Sequence, residues 1–231
     1  MVPSRVLNAE GSGACCDKAQ KVAILCPFPE YFIETLKEHH DVPVILNGKL
    51  ESDFPERYDV DLIIVCGHDY KIPENITSKI RCIGIHFSML PHGRGPEPLL
   101  ASLISGERTG VTIYEITDER DAGRIIVQEE FKVLETDTLK TLMDKAFELA
   151  GSMIADEWKD IRSKEYMSRP QKGKGSSHDN DGVDRIFKLA VRMSDKPIGE
   201  FLEKVKEKFP NFKMSEPFEL QKQTCKYPEI V

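Results

Sequence analysis

No stretch of this 231-residue chain approaches the ~18 consecutive apolar residues of a membrane span, so no membrane role is expected. The first residues, Met1 to Lys21, lack the apolar h-region of a secretory signal. Six cysteines are present (Cys15, Cys16, Cys26, Cys66, Cys82 and Cys225), but no two have C-x-x-C spacing. Neither a zinc site nor a disulfide framework is indicated, and no metal is expected. Cys26, Cys66 and Cys82 fall at or near the ends of apolar runs, where a thiol behaves as a small buried hydrophobe. A reduced, cytoplasmic compartment fits this usage. Basic charge is not in excess: 32 Lys and Arg stand against 39 Asp and Glu, a formal net charge of −7 with a pI near 5.5. Such a chain gains nothing from counterion release, so extended nucleic acid is not an expected partner. Internal repeats are absent as well.

What is present is an alternation of strands and helices. Residues 1–20 are small and polar and read as a mobile leader; Gly11-Ser12-Gly13 has no strand before it and is not a dinucleotide loop. Val22 to Cys26, Val42 to Leu46 and Asp61 to Cys66 are apolar runs of strand length. Tyr31, Phe32, Thr35 and Leu36 repeat at helical spacing between the first two. Ile72-Pro73-Glu74 opens a short helix, with proline in its first turn. Gly110 to Thr117 alternates as a strand with two unequal faces. Arg124 to Val133 is interrupted by polar residues and reads as an antiparallel strand near an edge. A long apolar stripe from Leu139 to Ile161 marks a helix of about six turns, with N-cap oxygens offered by Thr136-Asp137-Thr138. Together these imply an α/β fold with a doubly wound, mostly parallel sheet. After Arg169 the composition changes. Residues 170–177 read as a flexible, basic loop, and two amphipathic segments follow, Val183 to Met193 and Ile198 to Phe209. The expected organisation is a leader (1–20), a core domain (21–162) and a short helical C-terminal extension (163–231).

The stretch that carries chemistry runs Gly84-Ile85-His86-Phe87-Ser88-Met89-Leu90-Pro91-His92-Gly93-Arg94-Gly95. It joins a buried strand to a short helix, Pro96 to Ser105, at the kind of turn where open α/β sheets place ligands. Farther on comes Asp121-Ala122-Gly123-Arg124-Ile125. A histidine leaving one strand and an aspartate near the start of another can share a pocket. His86 can donate from a ring nitrogen and pass protons near neutral pH. Asp121 can orient that ring or take a proton through a water.

These two motifs resemble the signature of the folate-dependent formyltransferases, Asn-x-His-x-Ser-x-Leu-Pro-x-x-Arg-Gly followed by Asp-x-Gly-x-Ile. Every fixed position agrees except the first, where Gly84 stands in place of Asn. The similarity extends over Val22 to Ile161 and implies a Rossmann-like formyltransferase core using 10-formyltetrahydrofolate. It implies that His86 and Asp121 are two members of an Asn-His-Asp catalytic set whose third position is Gly84. In the family the Asn amide donates to the formyl oxygen, and losing one such donor costs on the order of 10²–10³ in turnover. A water is expected to fill the space a missing side chain leaves; on that view Gly84→Asn is neutral or raises the rate in a true enzyme. Ser88, Leu90 and Pro91 are expected to shape the turn, Arg94-Gly95 to tie it to the following helix, and His92 to be a solvated loop residue. The resemblance also implies a pterin crevice lined by His68, Asp69, Tyr70, Ile72, Cys82, Ile116, Thr117, Asp118, Glu119 and Arg120.

Within the family the acceptor is read by elimination. Cys26-Pro27-Phe28-Pro29-Glu30 follows the first strand where glycinamide ribonucleotide enzymes have a phosphate-cradling loop. The segment after Ile161 is helical in pattern, unlike the β-barrel of methionyl-tRNA formyltransferases. The branch left is similar to sugar N-formyltransferases, whose acceptor is an amino-dideoxy sugar linked to dTDP or UDP. Gln171 with Gly173 resembles an element found after the long helix in that branch. Lys172 and Lys174 offer charge to a diphosphate, although a solvated loop is the plainer reading. The alternative is a formyltransferase-like protein that binds folate and sugar nucleotide with little or no turnover. Many family members are dimers, and the amphipathic C-terminal segments offer an interface for a homodimer.

Overall fold

The computed structural model describes residues 18–68, 71–178 and 180–210. Among them the elements run β1 (Lys21–Leu25), α1 (Glu30–Glu38), β2 (Val42–Leu46), α2 (Phe54–Arg57), β3 (Leu62–Cys66), α3 (Glu74–Thr77) and β4 (Arg81–His86). Then come α4 (Pro98–Ser105), β5 (Gly110–Glu115), β6 (Ile125–Glu130), α5 (Leu139–Ser163), α6 (Asn180–Arg192) and α7 (Ile198–Lys208). The six strands form one sheet in the order β2-β1-β3-β4-β5-β6. β1 to β4 are parallel, whereas β5 and β6 are antiparallel. The fold is Rossmann-like. The chain steps from β1 outward to β2, then crosses to β3 on the other side of β1, and such a switch leaves a crevice beyond the carboxyl ends of the strands.

Alternate residues of the parallel strands build two cores. Val22, Ile24, Leu62, Ile64, Ile83 and Ile85 face one layer with Leu142, Ala146, Met153 and Trp158 of α5. Ala23, Leu25 and Ile63 face the other, against Phe54, Ile72 and Ile76. This period of two on a sheet covered on both sides explains why the strands read as unbroken aliphatic runs. β5 departs from its expected unequal faces: Gly110 to Tyr114 are all buried, because it lies between β4 and β6 with α5 packed against it. Thr138 caps α5 by accepting from the Thr141 N–H at 3.2 Å, and the Thr141 hydroxyl accepts in return from the Thr138 N–H at 2.9 Å. Such a cap is worth about 1 kcal/mol. Helices α6 and α7 bury Ile186, Leu189, Ile198, Phe201 and Val205 in the same apolar cluster as α5. No helix among the described residues is long and apolar enough to cross a membrane.

The basic loop after Arg169, read from sequence as flexible, is instead a pinned strap. Arg169 and Ile125 exchange both backbone bonds at 2.8 Å. Arg94 N–H donates to the Ser176 carbonyl at 3.1 Å, and His178 N–H to the Arg94 carbonyl at 2.8 Å. Its polar residues found backbone partners on the sheet's carboxyl side, which composition alone does not reveal.

Candidate active site

His86 ends β4 and is almost fully buried. Its Nε2 lies 2.8 Å from the Gly93 carbonyl. A carbonyl only accepts, so Nε2 carries the hydrogen, and in the neutral ring Nδ1 holds a lone pair. That nitrogen faces Oδ1 of Asp121 at 3.9 Å. Burial pushes the His86 imidazole down; the Asp121 charge and the Gly93 bond pull it up; burial wins. The neutral ring with an open Nδ1 is therefore its resting form at neutral pH.

Asp121 sits in left-handed backbone at φ 52°, which Asp tolerates better than most side chains. Its Oδ2 accepts from the Gly95 N–H at 2.8 Å, and its Oδ1 from the Tyr114 hydroxyl at 2.8 Å. The Arg-Gly and Asp-x-Gly elements thus meet in space. Gly123 is needed for close approach, since a Cβ there would run into the Glu115 carbonyl where β5 turns back towards β6. Arg94 does not tie its loop to the following helix as expected. Its guanidinium donates to Oε1 of Gln171, from Nη2 at 2.6 Å and from Nε at 3.1 Å. Gln171 in turn donates from Nε2 to the Asp121 and Gly123 carbonyls at 2.8 and 2.9 Å. The Gly93 N–H donates to the Ser176 hydroxyl at 2.8 Å. The strap therefore holds both motif loops, one through Gly93 and Arg94 and the other through Asp121 and Gly123. Ser88 and Leu90 shape the turn as expected, with the Ser88 hydroxyl donating to the His92 carbonyl at 2.6 Å and the Leu90 N–H donating to Thr112 Oγ1 at 3.2 Å. The half-exposed His92 side chain stands 3.4 Å from Glu107.

His86 and Asp121 open onto a cleft of about 740 Å³ beyond the carboxyl ends of β1, β3 and β4. Of the expected pterin contacts, His68, Ile72, Ile116, Thr117, Glu119 and Arg120 line it. Asp69 and Tyr70 lie outside the described residues. Asp118 is exposed and does not line the cleft. Cys82 does not line it either. It belongs to the lower half of β4, its thiol contacts the Ile80 carbonyl at 3.3 Å, and burial pushes the thiol up to about 12. Its own carbonyl already accepts from Ile116 N–H at 2.9 Å. Lining residues that sequence reasoning passed over are Tyr114, Lys71 and an apolar wall of Phe28, Met143, Phe147 and Phe187. Phe147 is the hub of that wall, with ring centroids 5.0 Å from Phe28, 5.3 Å from Tyr31 and 4.8 Å from Phe87. Its place in the α5 stripe was legible as core, but its neighbours come from three other segments. Among the described residues, no three His, Cys, Asp or Glu side chains are grouped to hold a metal ion.

Residues 51–156 match the family profile described as Formyl transferase. Methionyl-tRNA formyltransferase of Staphylococcus aureus is 31% identical over 166 residues, covering 69% of this chain and 50% of that protein. The chain thus spans half the length of that curated relative. Among solved structures, the formyltransferase PseJ from Anoxybacillus kamchatkensis superposes with a TM-score of 0.71 at 28% identity. That alignment covers 78% of this chain and 97% of PseJ, which was crystallised with UDP-4,6-dideoxy-4-formamido-L-AltNAc and tetrahydrofolate. A sugar N-formyltransferase from Shewanella shares the fold, with a TM-score of 0.63 at 20% identity over 72% of this chain and 79% of that one. With the His86 and Asp121 motifs converging on one cleft, these similarities establish that the chain belongs to the formyltransferase family.

Proposed function

We propose that this protein is a sugar N-formyltransferase, moving a formyl group from 10-formyltetrahydrofolate to the amine of an amino-dideoxy sugar linked to dTDP or UDP. The observation that carries this reading is the His86–Asp121 pair, drawn from separate strand ends to one face of a ligand-sized cleft. The alignment over nearly all of PseJ supports a nucleotide sugar as acceptor.

The cleft suits the cosubstrate. Val65, Ile72 and Ile116 give an apolar crevice for a flat ring system, bordered by Thr117, Glu119 and Arg120. Lys71 and Arg120, both exposed at the cleft, offer cations to the carboxylates of a glutamyl tail. When bound, the folate supplies the activated formyl group. The wall of Phe28, Met143, Phe147 and Phe187 is left to the sugar and base. Neutral His86 accepts the proton of the attacking amine at Nδ1, and the Asp121 carboxylate 3.9 Å away stabilises the imidazolium. His86 then returns the proton to the departing nitrogen. A proton acceptor placed this way contributes about 10²–10⁴-fold. No covalent enzyme intermediate is needed, so no nucleophilic serine or cysteine is assigned. The amphipathic α6, with Phe187 and Val191 exposed, supports assembly as a homodimer. The absence of a metal requirement and a cytoplasmic location complete the proposal.

The test is a turnover assay by mass spectrometry, with 10-formyltetrahydrofolate and a panel of dTDP- and UDP-linked amino sugars, and methionyl-tRNA as a further acceptor. A sugar nucleotide gaining one formyl group, lost in His86→Ala and Asp121→Ala, supports the reading. Product only on methionyl-tRNA moves the acceptor to tRNA. Folate binding without product on any acceptor selects the binding protein of weak or no turnover.

A further inference from the structure

Gly84 and Tyr114 lie directly opposite each other in the antiparallel pair β4–β5. Opposed residues of such a pair point to the same face, and the Tyr114 ring lies over the glycine. A Cβ at position 84 would stand 2.8 Å from the phenol oxygen and closer still to two ring carbons. This overturns the expectation of a water in that space and of a harmless Gly84→Asn: the volume is already filled. The ring is nearly buried yet lines the cleft. A shift in the β5–β6 register falls between Ile113 and Tyr114, the kind of irregularity that re-aims side chains beside active sites. The hydroxyl donates to Oδ1 of Asp121, the same oxygen that faces Nδ1 of His86. Burial first, then the Asp121 charge, push the phenol well above its ordinary range, so it keeps its hydrogen.

Building on the formyl-transfer reading, we propose that Tyr114 is a catalytic residue, its hydroxyl supplying at the reacting carbonyl the hydrogen-bond donor that Gly84 has no side chain to provide. The amine's lone pair forms the new N–C bond, and the carbonyl π pair moves onto oxygen, where the phenol O–H turns to meet it. The amine proton goes to His86 Nδ1, and the imidazolium then faces the Asp121 oxygen that the phenol has left. The oxygen's electron pair re-forms the carbonyl, the bond to the departing nitrogen breaks, and His86 returns the proton to that nitrogen. Tyr114 neither gains nor loses a proton, and no further reactant is required. Gly84 and Tyr114 act as a pair: the glycine is what lets the phenol reach the site.

The experiment titrates the wild type and Tyr114→Phe with 10-formyl-5,8-dideazafolate, a stable formyl compound, and with its deformylated counterpart, by calorimetry. Tyr114→Phe should lose about 5–10-fold of the preference for the formylated compound, with affinity for the deformylated one unchanged. Its kcat should fall ~10²–10³-fold. In parallel, Gly84→Asn should melt well below wild type, and Gly84→Asn with Tyr114→Ala should recover most of that loss. A Tyr114→Phe variant that keeps both the formyl preference and kcat overturns the donor role while leaving the formyltransferase reading intact. Gly84→Asn melting like wild type with Tyr114 in place overturns the pairing. A wild type that binds neither compound overturns the folate reading itself, and the donor role with it.

Discussion

Two aspartates, Asp41 and Asp121, are each held by several hydrogen bonds, and the contrast between them separates scaffold from site. The Asp41 side chain is completely shielded from solvent. Its Oδ1 accepts from Gln20 N–H at 2.7 Å and Arg162 Nη2 at 2.8 Å, and its Oδ2 from Trp158 Nε1 at 3.0 Å and Arg162 Nε at 3.1 Å. Burial pushes this carboxyl up, but the Arg162 bonds, the Gln20 N–H and Trp158 together hold it below its ordinary value. Each oxygen accepts twice, one of the partners is a full positive charge, and three segments are tied together. Asp121 has one backbone N–H and one phenol, in left-handed backbone at the lip of a cleft. The nearby guanidinium of Arg94 goes to Gln171 instead. A carboxylate clamped by arginine already has its cation; one held by two neutral donors has none.

The largest expected effects break the site without breaking the fold. His86→Ala and Asp121→Asn should each cost ~10²–10⁴-fold in kcat, read in a formyl-transfer assay on the folded protein, with little change in melting temperature for Asp121→Asn. Asn keeps the shape of Asp and tolerates left-handed backbone. The reverse expectation holds at the scaffold. Arg162→Ala leaves Asp41 buried without its cation and should cost about 3–5 kcal/mol of stability, measured by urea unfolding, with kcat of the folded enzyme retained. Next comes the strap. Gln171→Ala removes the bonds that bridge Arg94 to the Asp121 loop and should lower kcat/KM about 10–100-fold through misplacement of the catalytic groups, against a loss of about 1–3 kcal/mol in stability.

The smallest effect is the most diagnostic of how His86 works. Because burial holds its imidazole below 6.5, the acid limb of the rate profile should lie below that value, activity being present above it and lost as His86 becomes protonated. The Asp121 charge pulls the imidazole up, so the residual activity of Asp121→Asn should show its acid limb at still lower pH. An unmoved limb would detach His86 from the profile. Stability carries the same sign: the neutral buried ring contributes above 6.5 and loses its contribution as pH falls through the window beneath it.

Much of this was legible in the chain. The aliphatic runs gave β1, β3 and β4, because strands buried on both faces leave no other pattern. The α5 stripe gave a helix observed as Leu139–Ser163. His86 and Asp121 stood out because their motifs sit at strand ends. Tyr114 did not, because its importance depends on register: only the pairing of β4 with β5 puts it over Gly84. The absent side chain at 84 looked like a loss when read alone and becomes a close fit when read with its neighbour. The strap was hidden in part: Gln171 with Gly173 stood out by resemblance, but Lys172, Gly173, Lys174 and Gly175 have the composition of a free loop, while Gln171 and Ser176 pin it to the motif turns. Cys82 shows the opposite error, a residue close in sequence to the site that belongs to the lower half of its strand.

The most direct measurement sets Asp41→Asn beside Asp121→Asn, with melting temperature and single-turnover formyl transfer recorded on the same preparations. The account predicts a large drop in melting temperature and near-normal transfer for Asp41→Asn, and a near-normal melt with transfer reduced at least ~10²-fold for Asp121→Asn. Transfer that falls only in proportion to stability in both variants would contradict it, because Asp121 would then be one more structural carboxylate.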